Sequence, residues 1–287
     1  MFDIGQFSKF KNQIVVVKYG GNAMLNDDLK NSVLEDIVFL KKAGIKVVVV
    51  HGGGPEINAL LKVYNKKSEF VAGLRVTDLE TMEITQMALV GKVNTDLVGR
   101  LNVFGGKAVG LNGKDAGLLI AKKHFADVKD ANGKINLTDI GFVGEVYKVN
   151  TDLLKTLVDN DYIPVIAPVG FGDKGETFNI NADMAAGEIA GALAADMLLM
   201  LTDVKGLYSN YPDENSFMHI LDFEQMEKLM ALGKIDGGMI PKVRSCVSAL
   251  QGGTKKAYIL DGREKHSLLA KFLGDEKMGT EIIKGRK

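Results

Sequence analysis

The sequence predicts an α/β fold, with a mainly parallel central sheet, helices on both faces and two lobes. Three observations support this. Apolar, largely β-branched runs alternate with segments of helical spacing almost throughout. Two of those runs end in glycine pairs or triplets, "VKYGGNA" (17–23) and "VHGGGPE" (50–56). No linker, low-complexity stretch or clear repeat interrupts the pattern, so the lobes are expected to share one sheet, dividing near residues 168–176 into 1–172 and 173–287.

The elements follow in order. "QIVVVKYGG" reads as a strand ending in glycines, and Leu29, Val33, Ile37 and Leu40 give residues 27–43 one apolar helical face. "IKVVVV" is the next strand, with a helix from Pro55 through Ile57, Leu60, Leu61 and Tyr64. Residues 78–103 read as one long helix and 107–112 as a strand. Between 118 and 150 the period changes to two around an Asn-Gly pair, which predicts β-hairpins. The α/β rhythm then returns: helix 151–159, strand "IPVIAPVG", helix 182–194, strand "MLLMLTD", helix 222–232 and a long helix from about 239. Strand "KAYILDG" and a short helix from 264 follow.

Composition narrows the function class. Lys+Arg and Asp+Glu both total 36, so there is neither a nucleic-acid footprint nor an acidic tail. Cys246 is the only cysteine, which excludes an internal disulfide and a thiolate metal cluster and suits a reducing compartment. The first residues lack a signal-peptide core, and no apolar run approaches the roughly 20 residues of a membrane helix. A soluble, cytoplasmic protein is expected.

Glycines at strand ends strip side chains from backbone at the edge where parallel sheets bind ligands, and their N–H groups can cradle an anion. They can equally serve only as tight turns. Familiar phosphate loops are absent. None of the five Gly-Lys dipeptides is followed by Ser or Thr, and no GxGxxG opens a helix after the first strand. Lys18 stands in an apolar strand two residues before Gly20, either snorkelling at a strand end or placing a cation by the cradle. In "FNINADMAAG", Asn179, Asn181 and Asp183 alternate before a helix. Asp183 fits a helix cap or a site wall. Lys242, in "DGGMIPKV", is a second candidate cation.

In order along the chain, "KYGGNAM", "HGGGPEI", "GLRVTD", "NINAD", "MLTDVKG", "GGMIPKV" and the terminal "GT" resemble the amino acid kinase family. "GLRVTD" with "NINAD" is particular to its acetylglutamate kinase branch. The resemblance implies a three-layer αβα sandwich, with the acyl substrate in the N-terminal lobe and the nucleotide in the C-terminal one. It implies transfer of phosphate from MgATP to the side-chain carboxylate of N-acetyl-L-glutamate, the second step of arginine synthesis by the acetylated route. A carboxylate with pKa near 4 is already ionised and needs no general base. The four histidines share no motif.

By the same resemblance, Lys18 and Lys242 stabilise the transferring phosphoryl group, one from each lobe, and Asp183 holds both ammonium groups. Gly20 and Gly21 present N–H groups to the phosphate, while Gly53 and Gly54 meet the substrate carboxylate. A Cβ at these glycines is expected to block that approach. Arg75 pairs with the substrate's α-carboxylate and Asn179 binds the acetylated amino acid. Asp203, Lys205, Gly206, Tyr208, Gly238 and Met239 are expected to hold ATP. No protein ligand to Mg²⁺ is expected, since phosphates and water carry it. Two rivals are weighed and disfavoured: a sister kinase acting on aspartate, carbamate or UMP, which the chain length and Arg75 count against, and a catalytically dead sensor, which the intact lysines and aspartate count against.

The N-terminus raises regulation. Phe2, Ile4, Phe7 and Phe10 line one helical face, weakened by Gly5, with no evident cover in the same chain. Arginine-inhibited members of the family are hexamers built from dimers and joined through an N-terminal helix, and His266 and Gly279–Thr280 match their C-terminal segment. L-arginine inhibition and a homo-oligomer, dimer or hexamer, are therefore expected.

Overall fold

The computed structural model describes residues 2–20, Met24, 26–130, 134–235, 237–274 and 278–285. Strand β1 (Ile14–Tyr19) leads to α1 (Asp27–Lys42), which Asn26 starts by accepting a hydrogen bond from Leu29 N at 3.0 Å. Acids in its first turn and lysines in its last suit the helix dipole. Strand β2 (Lys46–His51) runs through Gly52 and Gly53 into α2 (Gly54–Val63). A small hairpin follows, β3 (Phe70–Val71) and β4 (Leu74–Arg75). Ala72 and Gly73 both take positive φ at its tip, a turn that favours glycine.

The expected long helix is continuous but changes winding. α3 (Leu79–Gln86), capped by Asp78, passes into a π-helical stretch, Met87–Asn94, and then α4 (Thr95–Val103). After β5 (Ala108–Asn112), the segment expected to hold several hairpins forms one long one, β6 (Leu119–Lys129) and β7 (Ile135–Val149). Its Asn132–Gly133 pair lies outside the described residues. α5 (Asp152–Asp159) precedes β8 (Ile163–Ala167). The run "IPVIAPVG" is split at Pro168, which has no N–H to continue a ladder. Its second part, β9 (Val169–Phe171), joins β10 (Thr177–Ile180), β6 and β7 in a small closed barrel.

The remaining elements are α6 (Ala182–Ala192), β11 (Met197–Thr202), the short β12 (Leu207–Tyr208), β13 (Phe217–Met218) and β14 (Ile220–Asp222), and α7 (Phe223–Ala231). α8 (Met239–Gly252), β15 (Lys256–Asp261), α9 (Ser267–Phe272) and β16 (Thr280–Ile283) close the chain. One eight-stranded sheet runs β14-β16-β15-β11-β1-β2-β8-β5, parallel except where β16 meets β15.

Strands buried on both faces explain the unbroken apolar runs. Val15, Val17 and Tyr19 face a core made with α1, α4 and α9, whereas Val16 faces α5, α6 and α8. That alternation gives the three layers. It also puts Lys18 on the α6–α8 side. Those two helices pack closely: a Cβ at Gly187 would lie 2.5 Å from Ser245 O, and Gly191 meets Gly252 backbone to backbone.

The N-terminal expectation needs correcting. Ile4–Phe10 is a 3₁₀ helix, and its stripe is covered by its own chain. Phe7 is fully buried, its ring 5.1 Å from Phe39 of α1 and 6.1 Å from Phe272 of α9. Phe10 also meets Phe272, and Phe2 meets Phe39 and His266. Apolar side chains on α1 and α9 form the missing cover, and only Ile4 of the four stays exposed. No described helix is long and apolar enough to cross a membrane.

Candidate active site

The C-terminal ends of β1 and β2, at the middle of the sheet, bring the first candidates together. Lys18 pairs in register with Val50 on one side and Met200 on the other, so its ammonium emerges where the central strands stop. It forms an ion pair with Asp183 Oδ1 at 2.7 Å. Lys242 Nζ donates to Asp183 Oδ2 at 3.0 Å. Asp183 is not the helix cap: Asn181 Oδ1 accepts from Asp183 N and Met184 N, leaving the Asp183 carboxylate to the two lysines. Ser245 Oγ, on α8, donates to Asp183 O and fixes the backbone from behind.

Lys18 and Asp183 side chains are each 7% exposed and Lys242 is 16%. Burial works to raise the Asp183 carboxyl, but the two ammonium groups together hold it below the ordinary carboxylate range. The triad therefore keeps two positive charges against one negative in a nearly dry place. A net positive charge confined there is poised for an anion.

The glycine loops border the triad. A Cβ on Gly20 would lie 3.0 Å from Lys18 Nζ and 3.3 Å from Gly52 N, so the loops touch and a side chain would press on the ammonium. Gly21 lies outside the described residues. Gly54 opens α2 with nothing within 4 Å of a Cβ position, so packing does not require a glycine there. Gly53 departs from expectation. A Cβ there would lie 2.6 Å from Leu89 Cδ2, so the protein's own packing, rather than a ligand, demands that glycine. The first N–H groups of α2 have no partner inside the helix.

Arg75 is buried at the end of β4. Its Nη1 donates to Ser68 Oγ and its guanidinium lies 4.8 Å from the Phe70 ring centre. Among the described residues it has no carboxylate partner. Burial accordingly lowers its pKa. Thr77, unremarked in the sequence, ties the hairpin to β10: its Oγ1 donates to Arg75 O at 2.8 Å and accepts from Asn179 Nδ2 at 3.3 Å. Arg75 and Asn179 thus share one hydrogen-bonded unit, with Asn179 two residues before Asn181 on the chain entering α6.

The nucleotide candidates fall into two groups. Gly238 and Met239 begin α8 one turn ahead of Lys242, with no side chain capping its N–H groups. Lys205 lines a cavity of about 310 Å³ with Glu214, Phe217, Asp261, Glu264, Met278 and Gly279, and Gly206 and Tyr208 both touch its Phe217. Lys205 pairs with Glu214 at 3.2 Å, Gly206 packs on Thr280 and Phe217, and the Tyr208 ring meets Phe217 at 5.2 Å. Asp203 accepts from Thr202 Oγ1 at 3.2 Å.

Sequence reasoning gave no role to His51 or Asn94. His51 is fully buried, with Nδ1 2.8 Å from Gly52 O and Nε2 3.0 Å from Asn94 Nδ2. Burial pulls its pKa down to about 4. The signal that could have found it is a histidine held between a buried strand and three glycines.

Comparison with known proteins identifies the family. A profile of the amino acid kinase family matches residues 13–261. The acetylglutamate kinase of Heliobacterium modesticaldum is 53% identical over 276 residues, covering 96% of this chain and 94% of that one. The acetylglutamate kinase of Pelotomaculum thermopropionicum is 51% identical over the same shares. Among solved structures, the N-acetylglutamate synthase of Neisseria gonorrhoeae, complexed with coenzyme A and N-acetyl-glutamate, superposes with a TM-score of 0.79 at 25% identity. The match covers 99% of this chain and 62% of that longer one.

Proposed function

The chain belongs to the amino acid kinase family, and we propose that it phosphorylates the side-chain carboxylate of N-acetyl-L-glutamate with MgATP, as an acetylglutamate kinase. The observation that carries this reading is the buried pair of ammonium groups on one shared carboxylate, beside two glycine loops. The relatives' name supplies the acceptor.

An ionised carboxylate oxygen attacks the γ-phosphorus, an O–P bond forms, and the bond to the β,γ-bridging oxygen breaks with its electrons leaving on ADP. No proton has to move, so catalysis is positioning and charge neutralisation. Lys18 and Lys242 oppose the negative charge spread over the transferring oxygens, and Asp183 keeps their separation. Gly20, Gly21, Gly53 and Gly54 offer backbone N–H groups. Arg75, buried without a carboxylate, takes the substrate's α-carboxylate as a fork, and Asn179 orients the acetamido group. Both oxygens of Asp183 are occupied by ammonium groups, so the Mg²⁺ that accompanies ATP is assigned to phosphate oxygens and water.

Residues 1–172 are assigned to the acyl substrate and dimerisation, and 173–287 to ATP through Asp203, Lys205, Gly206, Tyr208, Gly238 and Met239. A cytoplasmic homo-oligomer, dimer or hexamer, belongs to the same reading. So does inhibition by L-arginine, which rests on the match of His266 and Gly279–Thr280 to the C-terminal segment of arginine-sensitive members. Because Phe7 seals the chain's own core, deleting the first ten residues would damage the fold as well as any interface. Light scattering and arginine titration of the full chain are therefore the proper measurements.

A coupled ATP-consumption assay offered N-acetylglutamate, glutamate, aspartate, carbamate and UMP tests the assignment. Turnover with N-acetylglutamate and background with the others is expected. Preference for another acceptor, or none at all, would sink it.

A further inference from the structure

His51 and Asn94 join three structural elements at the glycine loop. His51 ends β2, and its ring bridges the carbonyl of the next residue, Gly52, and the Asn94 amide. Asn94 ends the π-helical stretch and also donates from Nδ2 to Val165 O on β8 at 2.8 Å. Its Oδ1 sits against Gly110 of β5, where a side chain would collide with it. From the same stretch, Leu89 and Val93 press on Gly53. The π-helical winding thus coincides with the place where the helix docks on the loop, as such insertions commonly do near functional sites.

The hydrogen bonds define the protonation state. A carbonyl only accepts, so Nδ1 carries the proton toward Gly52 O and Nε2 accepts from Asn94. Val165 O likewise only accepts, which independently places nitrogen at that position of the Asn94 amide. The imidazole is neutral with one defined tautomer. In a planar trans peptide the C=O and the following N–H point in opposite directions. With Gly52 O held on the ring, Gly53 N–H is turned away from His51.

We propose that His51 and Asn94 are positioning residues for phosphoryl transfer: the imidazole, oriented by Asn94, locks the Gly52–Gly53 peptide so that Gly53 N–H faces the reacting groups. This rests on the kinase reading above. Neither side chain touches substrate. They fix a donor before the reaction begins, which removes the reorganisation cost at the moment charge moves.

Two isosteric variants separate this role from bulk packing. In His51→Asn the amide nitrogen stands where Nδ1 was and still donates to Gly52 O. In His51→Gln the oxygen stands where Nε2 was, and the Gly52 contact is lost. Both remove a ring from the core. Expected for His51→Gln is a kcat about a hundredfold lower, the lower end for losing one such donor, with KM for ATP within about twofold. His51→Asn should stay within about threefold of the parent. Equal losses in both variants, or near-normal kcat in both, would overturn the proposal.

Should both variants fail to fold, long-range ¹H–¹⁵N spectra of the full parent chain decide. His51 should appear as the neutral Nδ1–H tautomer near neutral pH, assigned by substituting His124, His219 and His266 in turn. An imidazolium or an Nε2–H ring would overturn it. Absence of acetylglutamate phosphorylation in the parent would instead remove the kinase reading, and the tautomer would still be measurable.

Discussion

Lys18 and Lys242 rest against a carboxylate that the chain itself supplies, whereas Arg75, equally out of water, rests against a phenyl ring and a serine hydroxyl. Removing a charge from water costs several kcal/mol unless a counter-charge meets it. At the sheet's end that cost is offset internally, and the geometry of both ammonium groups is set before any ligand arrives. At the β3–β4 hairpin no carboxylate among the described residues offsets it. A charge matched within the chain is free to act on what changes during reaction. One left unmatched contributes mainly to holding a ligand that stays the same. The first region should therefore govern kcat and the second KM.

The comparison breaks most visibly at Asp183. Asp183→Asn leaves two ammonium groups facing each other with one weak acceptor between them. Removing one partner from a buried ion pair costs about 3–5 kcal/mol, so the melting temperature should fall clearly. Loss of both placements should lower kcat by about a thousandfold, the upper end for one preorganised donor. Thermal melts and initial rates measure both. A variant that keeps kcat within about tenfold would mean the lysines need no internal counter-charge.

Lys18→Ala comes next, since it removes one of the two cations and leaves the Lys242–Asp183 pair intact. A kcat at least about a hundredfold lower is expected, with ATP affinity changed much less. Near-normal turnover would leave Lys18 as a structural ion-pair partner only.

These residues differ in how far the sequence disclosed them. Runs such as "IVVVKY" and "KVVVVH" are buried on both faces, so apolarity alone marked the strands, and Lys18 stood out as the polar residue in one of them. Asp183 was ambiguous because helix caps and site walls use the same residue type. The capping role went to Asn181, two residues earlier, which only coordinates can show. At Gly53 the motif suggests room for a ligand, yet the residue that fills its space, Leu89, lies on a helix distant in sequence. The π-helical stretch was illegible because its apolar spacing within a long helix does not differ enough from the α-helical period. The N-terminal stripe misled for a related reason. Phe39 and Phe272, which cover Phe7, cannot be recognised as its neighbours until the chain is folded.

Arg75→Lys sharpens the other side of the comparison. The charge stays but the fork is lost, so two parallel hydrogen bonds to a carboxylate become one. Charged hydrogen bonds are worth about 1.5–3 kcal/mol each, which predicts a KM for N-acetylglutamate raised about tenfold or more. KM for ATP and kcat at saturation should change little. N-acetylglutamate should also raise the melting temperature of the parent more than that of the variant, because only in the parent does it neutralise the full fork. Parallel rises in both Michaelis constants would make Arg75 a structural residue and dissolve the distinction.

The smallest expected effect comes from a buried charge of opposite sign that the proposed reaction does not use. Asp36, on α1, is almost fully buried, with His266 Nδ1 at 2.6 Å from Oδ1 and Oδ2 unpartnered. Burial raises its carboxyl to about 6, and the hydrogen bond and charge of His266 and the Leu269 backbone N–H only partly counter this. A carboxyl whose folded value stands above its unfolded one favours the fold as the neutral acid. That contribution is complete below about pH 4 and fades as pH rises through about 6. A side-chain amide at this position mimics the neutral acid at every pH. Asp36→Asn should therefore melt close to the parent near pH 4 and above it near pH 7.5. The shift of about 2 units corresponds to at most about 3 kcal/mol, or several degrees. Acid titration of Asp183 is common to both proteins and cancels in the difference. A melting difference that does not grow with pH would show that Asp36 is better matched than its geometry indicates. In that case the His266 contact would offset the burial of the carboxyl in full.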